Sequence, residues 1–127
     1  MAFFCYFDNI GNMEISTATA LLAALGNESR LTVFRLLVEA GPEGRYASAI
    51  GEALGMPAAT LSFHLAHLSR AGLILATKEG RYIRYCADYK AMNALIAFLT
   101  RDCCKGNPHP ECLVMPTDSS THCSETS

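Results

Sequence analysis

Apolar residues recur with a helical period from Ser16 to about Arg70, the period drops to two between Leu73 and Cys86, and a helical pattern returns near Asp88. These three observations predict a mostly helical α+β domain in the order α-α-α-α-β-β-α, the arrangement of a winged helix–turn–helix. The chain has 127 residues, 50% of them hydrophobic and 17% charged, so it is read as one domain with its own core rather than a disordered chain. No apolar run reaches the roughly 18 residues that a membrane helix needs. Met1 to Phe7 is apolar but lacks the basic lead-in of a secretory signal, so a cytoplasmic chain with no membrane partner is expected. The predicted division is an irregular segment at 1–13, the winged domain at 14–104 and a loop with a Ser/Thr- and Pro-rich tail at 105–127.

Each element has its own signal. In the first helix Ala18, Leu21, Leu22 and Leu25 fall on one face, and Gly26 ends the run. Asn27 suits the N-cap of a second helix carrying Leu31, Phe34, Leu37 and Val38 inward to Ala40, where Gly41-Pro42 stops it. A short helix from about Tyr46 to Leu54 points Ala47, Ile50 and Leu54 inward. After the break at Gly55-Met56, Pro57 opens a fourth helix at its first-turn position, with the stripe Leu61, Leu65 and Leu68 and a stop at Gly72. Residues 73–77 and 81–86 read as two strands joined by Lys78-Glu79-Gly80. The last helix starts near Asp88 or Tyr89, turns Met92, Leu95, Ile96 and Leu99 inward, and decays at Cys103-Cys104.

Net charge is −2, but it is unevenly spread. Residues 1–56 carry three basic and six acidic groups, residues 57–101 six basic and two acidic, and residues 102–127 one basic and four acidic. The basic block coincides with the fourth helix, the hairpin and the last helix. Charge alone fits either a solvated mixed surface or a phosphate-binding face.

The segment Leu25-Gly26-Asn27-Glu28-Ser29-Arg30-Leu31 resembles the opening signature of the ArsR/SmtB family of metalloregulatory repressors. Residues Thr60 to Leu68, with Ala71-Gly72-Leu73-Ile74, are similar to that family's recognition helix, and Glu79 to Tyr85 resembles its wing. The resemblance covers about residues 16–100 in the right order. It implies a homodimeric repressor on double-stranded operator DNA, released by a bound ion, with no catalytic residues and no organic cofactor. On the recognition helix the expected DNA-facing residues are Thr60, Ser62, Phe63, His64 and His67, although His64 also suits a core position. On the wing they are Lys78, Arg81 and Arg84, which would neutralise phosphates or enter a minor groove. The first helix (Leu21, Leu22, Leu25) and the last (Leu95, Ile96, Leu99) are the expected dimer seam.

Members of the family differ in where the ion binds. The cysteine box on the first helix of the helix–turn–helix is absent here, where the chain reads Tyr46-Ala47-Ser48-Ala49-Ile50. The zinc site on the last helix is not expected either: Asp88 is present, but Lys90 stands where a histidine belongs and none follows before His109. What remains resembles the arsenite-responsive members, with a vicinal pair, Cys103 and Cys104, and a third cysteine, Cys112, after the last helix.

Four of the six cysteines, Cys103, Cys104, Cys112 and Cys123, crowd the C-terminal quarter, which in a reducing compartment points to soft-ion binding or redox chemistry rather than disulfide staples. Three convergent sulfurs suit As(III) or Sb(III), whose lone pair favours a three-sulfur pyramid, and binding displaces the thiol protons. Zinc or cadmium would need a fourth ligand, for which His109 or Cys123 is available. A thiol-redox repressor, pairing Cys103 or Cys104 with Cys112, is the other reading. Cys86 reads as a small buried filler, Cys5 and Cys123 as incidental. A thiol enzyme would place its nucleophile at a helix N-terminus behind an anion-cradling loop, and these cysteines lie at the opposite helix end.

Overall fold

The structure, a computed structural model, describes residues 13–106. Most of the predicted segments at 1–13 and 105–127, with Cys5, His109, Cys112 and Cys123, lie outside the described residues. The elements in chain order are α1 (Ile15–Leu25), α2 (Glu28–Ala40), β1 (Arg45–Tyr46), α3 (Ala47–Leu54), α4 (Ala58–Ala71), β2 (Ile74–Glu79), β3 (Tyr82–Ala87) and α5 (Tyr89–Thr100), followed by an irregular turn at Cys103–Gly106 that includes left-handed residues. The predicted winged helix–turn–helix is present: α3 and α4 are the helix pair and β2–β3 the wing. No helix among the described residues is long and apolar enough to cross a membrane.

Capping side chains fix two of the helix starts. The Asn27 carboxamide accepts the Arg30 N–H at 3.0 Å, and the Asp88 carboxylate accepts the Ala91 N–H at 3.1 Å. Two further bonds join helices end to end. Arg30 Nε donates to the Ala24 carbonyl at 2.7 Å, tying α2 to the end of α1. The Tyr89 hydroxyl donates to the Val38 carbonyl at 3.0 Å, satisfying the end of α2 from the start of α5.

The core gathers Ala18, Leu21, Ala24, Val33, Phe34, Leu37, Ile50, Leu61, Leu65, Leu68, Leu73, Ile74 and Leu95. Helix α4 touches α1, α2, α3 and β2, so it is buried along one whole side. The inward face of α2 is turned from the predicted one: Val33, Phe34 and Leu37 are buried and Leu31 is exposed. On the expected seam, Leu21 and Leu95 are buried in the core of the chain itself, whereas Leu22 and Leu99 are exposed together with Ile15.

Three boundaries differ from the expectation. Pro57 is the N-cap of α4, with extended φ −60° and ψ 148°, and not its first helical residue. The hairpin is tighter than predicted: Lys78 pairs with Ile83 and Glu79 with Tyr82, which leaves Gly80-Arg81 as a two-residue turn. Gly80 has φ +65°, the positive value such turns require. A short strand, β1, also precedes α3. It adds to β3 through two residue pairs, Arg45 with Tyr85 and Tyr46 with Arg84, so the sheet runs β1-β3-β2 and is antiparallel throughout.

That extra strand depends on Gly44. Its φ is +71°, and a Cβ there would lie 2.1 Å from the Tyr85 carbonyl oxygen. Gly44→Ala therefore should cost more than about 2 kcal/mol, because the β1–β3 pairing must open. Gly80→Ala also carries a positive φ, but its Cβ meets open space, so about 1 kcal/mol is expected. Urea unfolding of both variants checks the ranking; a Gly44→Ala chain as stable as the parent would contradict the packing.

Candidate nucleic-acid interface and thiol site

Helix α4 keeps one side for the core and presents the other. Leu61, Leu65 and Leu68 are buried, while Thr60, Ser62 and Phe63 are exposed, Phe63 to 62%. Their spacing follows from the 3.6-residue period, which turns positions 60, 62 and 63 away from 61, 65 and 68. His67 is half-buried beside them. Its imidazole is held below the usual histidine range, first by desolvation and then by the positive fields of Arg30, Arg70 and His64.

His64 does not share the exposed face. It is only 8% exposed, its ring meets Phe63 edge-on at 5.7 Å, and its buried Nδ1 has no hydrogen-bond partner. The helical period explains this correction, because 64 follows 61 by three residues and precedes 68 by four. The N-cap of α4 carries no side-chain cap, since Pro57 has nothing to offer the first-turn amides. A duplex phosphate suits such amides.

The wing supplies cations unevenly. Lys78 and Arg81 are exposed at and beside the turn. Arg84 is not available in the same way. Its Nε and NH2 donate to Glu79 Oε2, the former at 2.8 Å, and its NH1 donates to the Glu43 carbonyl at 2.6 Å. The predicted phosphate contact at Arg84 thus becomes an internal tie, because strand register puts it diagonally across from Glu79 on one face. Tyr46 joins from β1: its hydroxyl donates to Glu79 Oε1 at 2.7 Å, and its ring lies 5.8 Å from that of Tyr82. Hydrogen bonds from Arg84 and Tyr46 hold the Glu79 carboxyl below the usual range, and the bond to Glu79 raises the Tyr46 hydroxyl. Tyr46, Glu79 and Tyr82 were absent from the expected site. The correct hairpin register would have placed Glu79 and Arg84 together, but the two-residue β1 carries no sequence period to announce it.

The vicinal cysteines stand beyond the last helix, not in it. Helix α5 ends at Thr100, and Arg101 is extended at φ −61° and ψ 134° while its guanidinium lies 5.0 Å over the Phe98 ring. Asp102, Cys104 and Lys105 then take φ of 57°, 54° and 56°. Left-handed backbone at non-glycine residues is strained, and such strain gathers at functional sites. Here it turns two adjacent side chains, which a regular helix would splay by about 100°, toward each other. The Cys103 and Cys104 sulfurs are 3.7 Å apart and both exposed. Two thiolates on one ion, at bonds of about 2.3 Å and tetrahedral angles, would stand about 3.8 Å apart. The observed separation is also that of an S–H···S hydrogen bond from Cys103 to Cys104. Among the described residues no third Cys, His, Asp or Glu completes a metal-binding group. Asp88, the remaining trace of the last-helix zinc site, is buried and occupied as the α5 N-cap.

Comparison with known proteins agrees with this geometry. A family model described as a helix-turn-helix domain, HTH_20, matches residues 25–75. The transcriptional activator HlyU of Vibrio cholerae is 32% identical over 101 residues, covering 78% of this chain and 91% of that protein. An ArsR-like transcriptional regulator from Rhodococcus sp. RHA1 superposes with a TM-score of 0.61 at 28% identity, over 68% of this chain and 78% of that one. The homodimeric winged helix-turn-helix DNA-binding domain Mb0332 of Mycobacterium bovis, a possible ArsR-family regulator, gives a TM-score of 0.55 at 28% identity, over 75% of this chain and 88% of that one.

Two substitutions separate the roles assigned here. Arg81→Ala should weaken binding to all duplexes alike and lower the slope of log K against log salt by about 1; selective loss on one sequence at an unchanged slope would exclude a phosphate contact. His64→Leu should retain DNA affinity and stability, because it removes a buried unpartnered nitrogen. A melting curve with an anisotropy titration checks both, and a stable but DNA-deficient His64→Leu protein would return His64 to the interface.

Proposed function

The chain belongs to the ArsR/SmtB family of winged helix–turn–helix transcriptional regulators, a DNA-binding protein and not an enzyme, and from that premise we propose that it is a homodimeric repressor released from operator DNA when As(III) or Sb(III) binds Cys103, Cys104 and Cys112. The observation that carries the ion reading is the 3.7 Å separation of the Cys103 and Cys104 sulfurs, produced by strained backbone just after α5. The donor chemistry fits a soft ion, and a set of three sulfurs fits one with a stereochemically active lone pair. Such an ion, held by Cys103, Cys104 and Cys112, would supply covalent cross-linking between these cysteines.

The dimer is supported by exposed apolar side chains on the terminal helices: Ile15 and Leu22 on α1, Leu99 on α5. Burying such side chains between two copies removes apolar surface from water, which offsets the entropy lost on association. Two α4 helices in such a dimer read half-sites about one helical turn, roughly 34–36 Å, apart. The cysteine pair follows α5 directly, so the ligand acts at the end of the seam and the α4 face reads DNA. Release then operates through dimer geometry: drawing the chain after α5 into a compact chelate shifts the seam and spoils the half-site spacing. A coupling of about 1–3 kcal/mol is sufficient for such a switch. Whether release silences or activates a gene depends on where the operator lies, and HlyU bears the name of an activator.

A second reading uses the same thiols as a redox device, with Cys103 or Cys104 oxidised against Cys112. The closeness of the exposed pair favours thiol chemistry of either kind. Zinc or cadmium, with His109 or Cys123 as a fourth ligand, is the remaining variant.

Fluorescence anisotropy of the reduced protein on the duplex upstream of its own gene, titrated with arsenite and separately with zinc, tests the proposal. Arsenite alone should reverse binding, and Cys104→Ser should bind DNA with parental affinity while losing at least tenfold in arsenite response. Binding that survives arsenite but is lost on mild oxidation, with a mass loss of two hydrogens, would replace metalloid sensing by the redox reading.

A further inference from the structure

The base of the wing is anchored in the core, with Leu73 and Ile74 buried beside α4 and Ala87 buried at the end of β3, but the segment that enters α3 meets the wing through very little backbone. Strand β1 contributes two residue pairs to β3 and then runs straight into α3, with Tyr46 serving as the α3 N-cap. Side chains do the rest. Glu79, at the end of β2, receives the Tyr46 hydroxyl at 2.7 Å on Oε1 and the Arg84 guanidinium on Oε2. Arg84 reaches on to the Glu43 carbonyl at 2.6 Å, in the loop ahead of β1. The Tyr46 and Tyr82 rings, tilted at 59°, close the same face.

We propose that Glu79 is a positioning residue for DNA binding: through Tyr46 and Arg84 it clamps the wing to the segment that enters the helix–turn–helix, and so fixes the spacing between Arg81 and the α4 face. The inference rests on the wing being a phosphate-contacting element. Two contacts on one rigid body reinforce each other, because once the first has formed the second is intramolecular. If the distal end of the wing moves independently of that segment, the advantage falls away even though every DNA-facing cation is still present. Glu79 is negatively charged and also neutralises a nearby arginine, so it opposes phosphate by ordinary electrostatics. Removing it should tighten DNA binding if charge is all that matters and weaken it if the clamp matters. The two accounts differ in sign.

The test uses the full, reduced chain on the duplex that the parent protein binds, over a salt series from about 50 to 200 mM, the range in which phosphate contacts dominate affinity. Glu79→Ala is expected to weaken binding about fivefold or more and to lower the salt slope by the amount that Arg81→Ala does. The double variant Glu79→Ala/Arg81→Ala should be no weaker than the weaker single variant, since both remove the same contact. Tyr46→Phe, which keeps the ring pair and deletes one hydroxyl, should fall between parent and Glu79→Ala; it also serves if Glu79→Ala melts early. Equal or tighter binding by Glu79→Ala, or losses that simply add in the double variant, would overturn the clamp. An Arg81→Ala protein indistinguishable from the parent would overturn the wing reading beneath it, and a parent that binds no duplex would overturn both.

Discussion

Burial of one side of α4 is the constraint on which the remaining architecture depends. Leu61, Leu65 and Leu68 are at most 2% exposed, and each fully buried leucine is worth about 1.5–3 kcal/mol against exposure. Helices α1, α2 and α3 and strand β2 all spend apolar surface on this one helix. The consequence is orientational. With the inward side committed, Thr60, Ser62 and Phe63 face outward in a fixed arrangement, and an exposed phenyl beside two hydroxyls is affordable because the core holds the helix rigid. His64 marks the border between the two sides, near enough to Leu65 and Leu68 to be covered yet still touching the Phe63 ring.

The parts legible in the sequence are those where local chemistry and tertiary burial ask for the same thing. Asn27 and Asp88 cap helices by their own side chains, so their roles follow from residue type and position. The α4 stripe was legible because its apolar residues repeat cleanly between Pro57 and Gly72. On α2 two adjacent stripes compete, Leu31-Phe34-Leu37-Val38 against Val33-Phe34-Leu37, and packing against α1, α4 and β3 selects the second. Strand β1 was invisible because two residues contain no period. The alternating pattern announces the hairpin but not its register: only the two-residue turn Gly80-Arg81 sets Glu79 diagonally across from Arg84, and a three-residue turn would separate them.

The thiol site shows the same division. Clustering of Cys103 and Cys104 after a helical segment was readable from residue type alone. The manner of their convergence was not: a helix carried through Cys104 would have separated the sulfurs, whereas the extended Arg101 and the left-handed Asp102, Cys104 and Lys105 bring them to 3.7 Å. Non-glycine residues give no sequence warning of positive φ, so strain of this kind becomes visible only in the folded backbone. Its position links the two halves of the account, for the strained turn directly follows the helix bearing Leu99, one of the exposed apolar residues available to a second copy.

The central claim is that ion binding after α5 and DNA binding by α4 are coupled. Coupling between two ligands is reciprocal, so each must weaken the other by the same factor. The most direct measurement is the arsenite affinity of the reduced protein with and without saturating operator duplex. The account predicts that the duplex weakens arsenite binding by about 5–150-fold, the range a coupling of 1–3 kcal/mol allows. An arsenite affinity unchanged by DNA would contradict it, leaving a DNA-binding regulator whose thiols answer to something else.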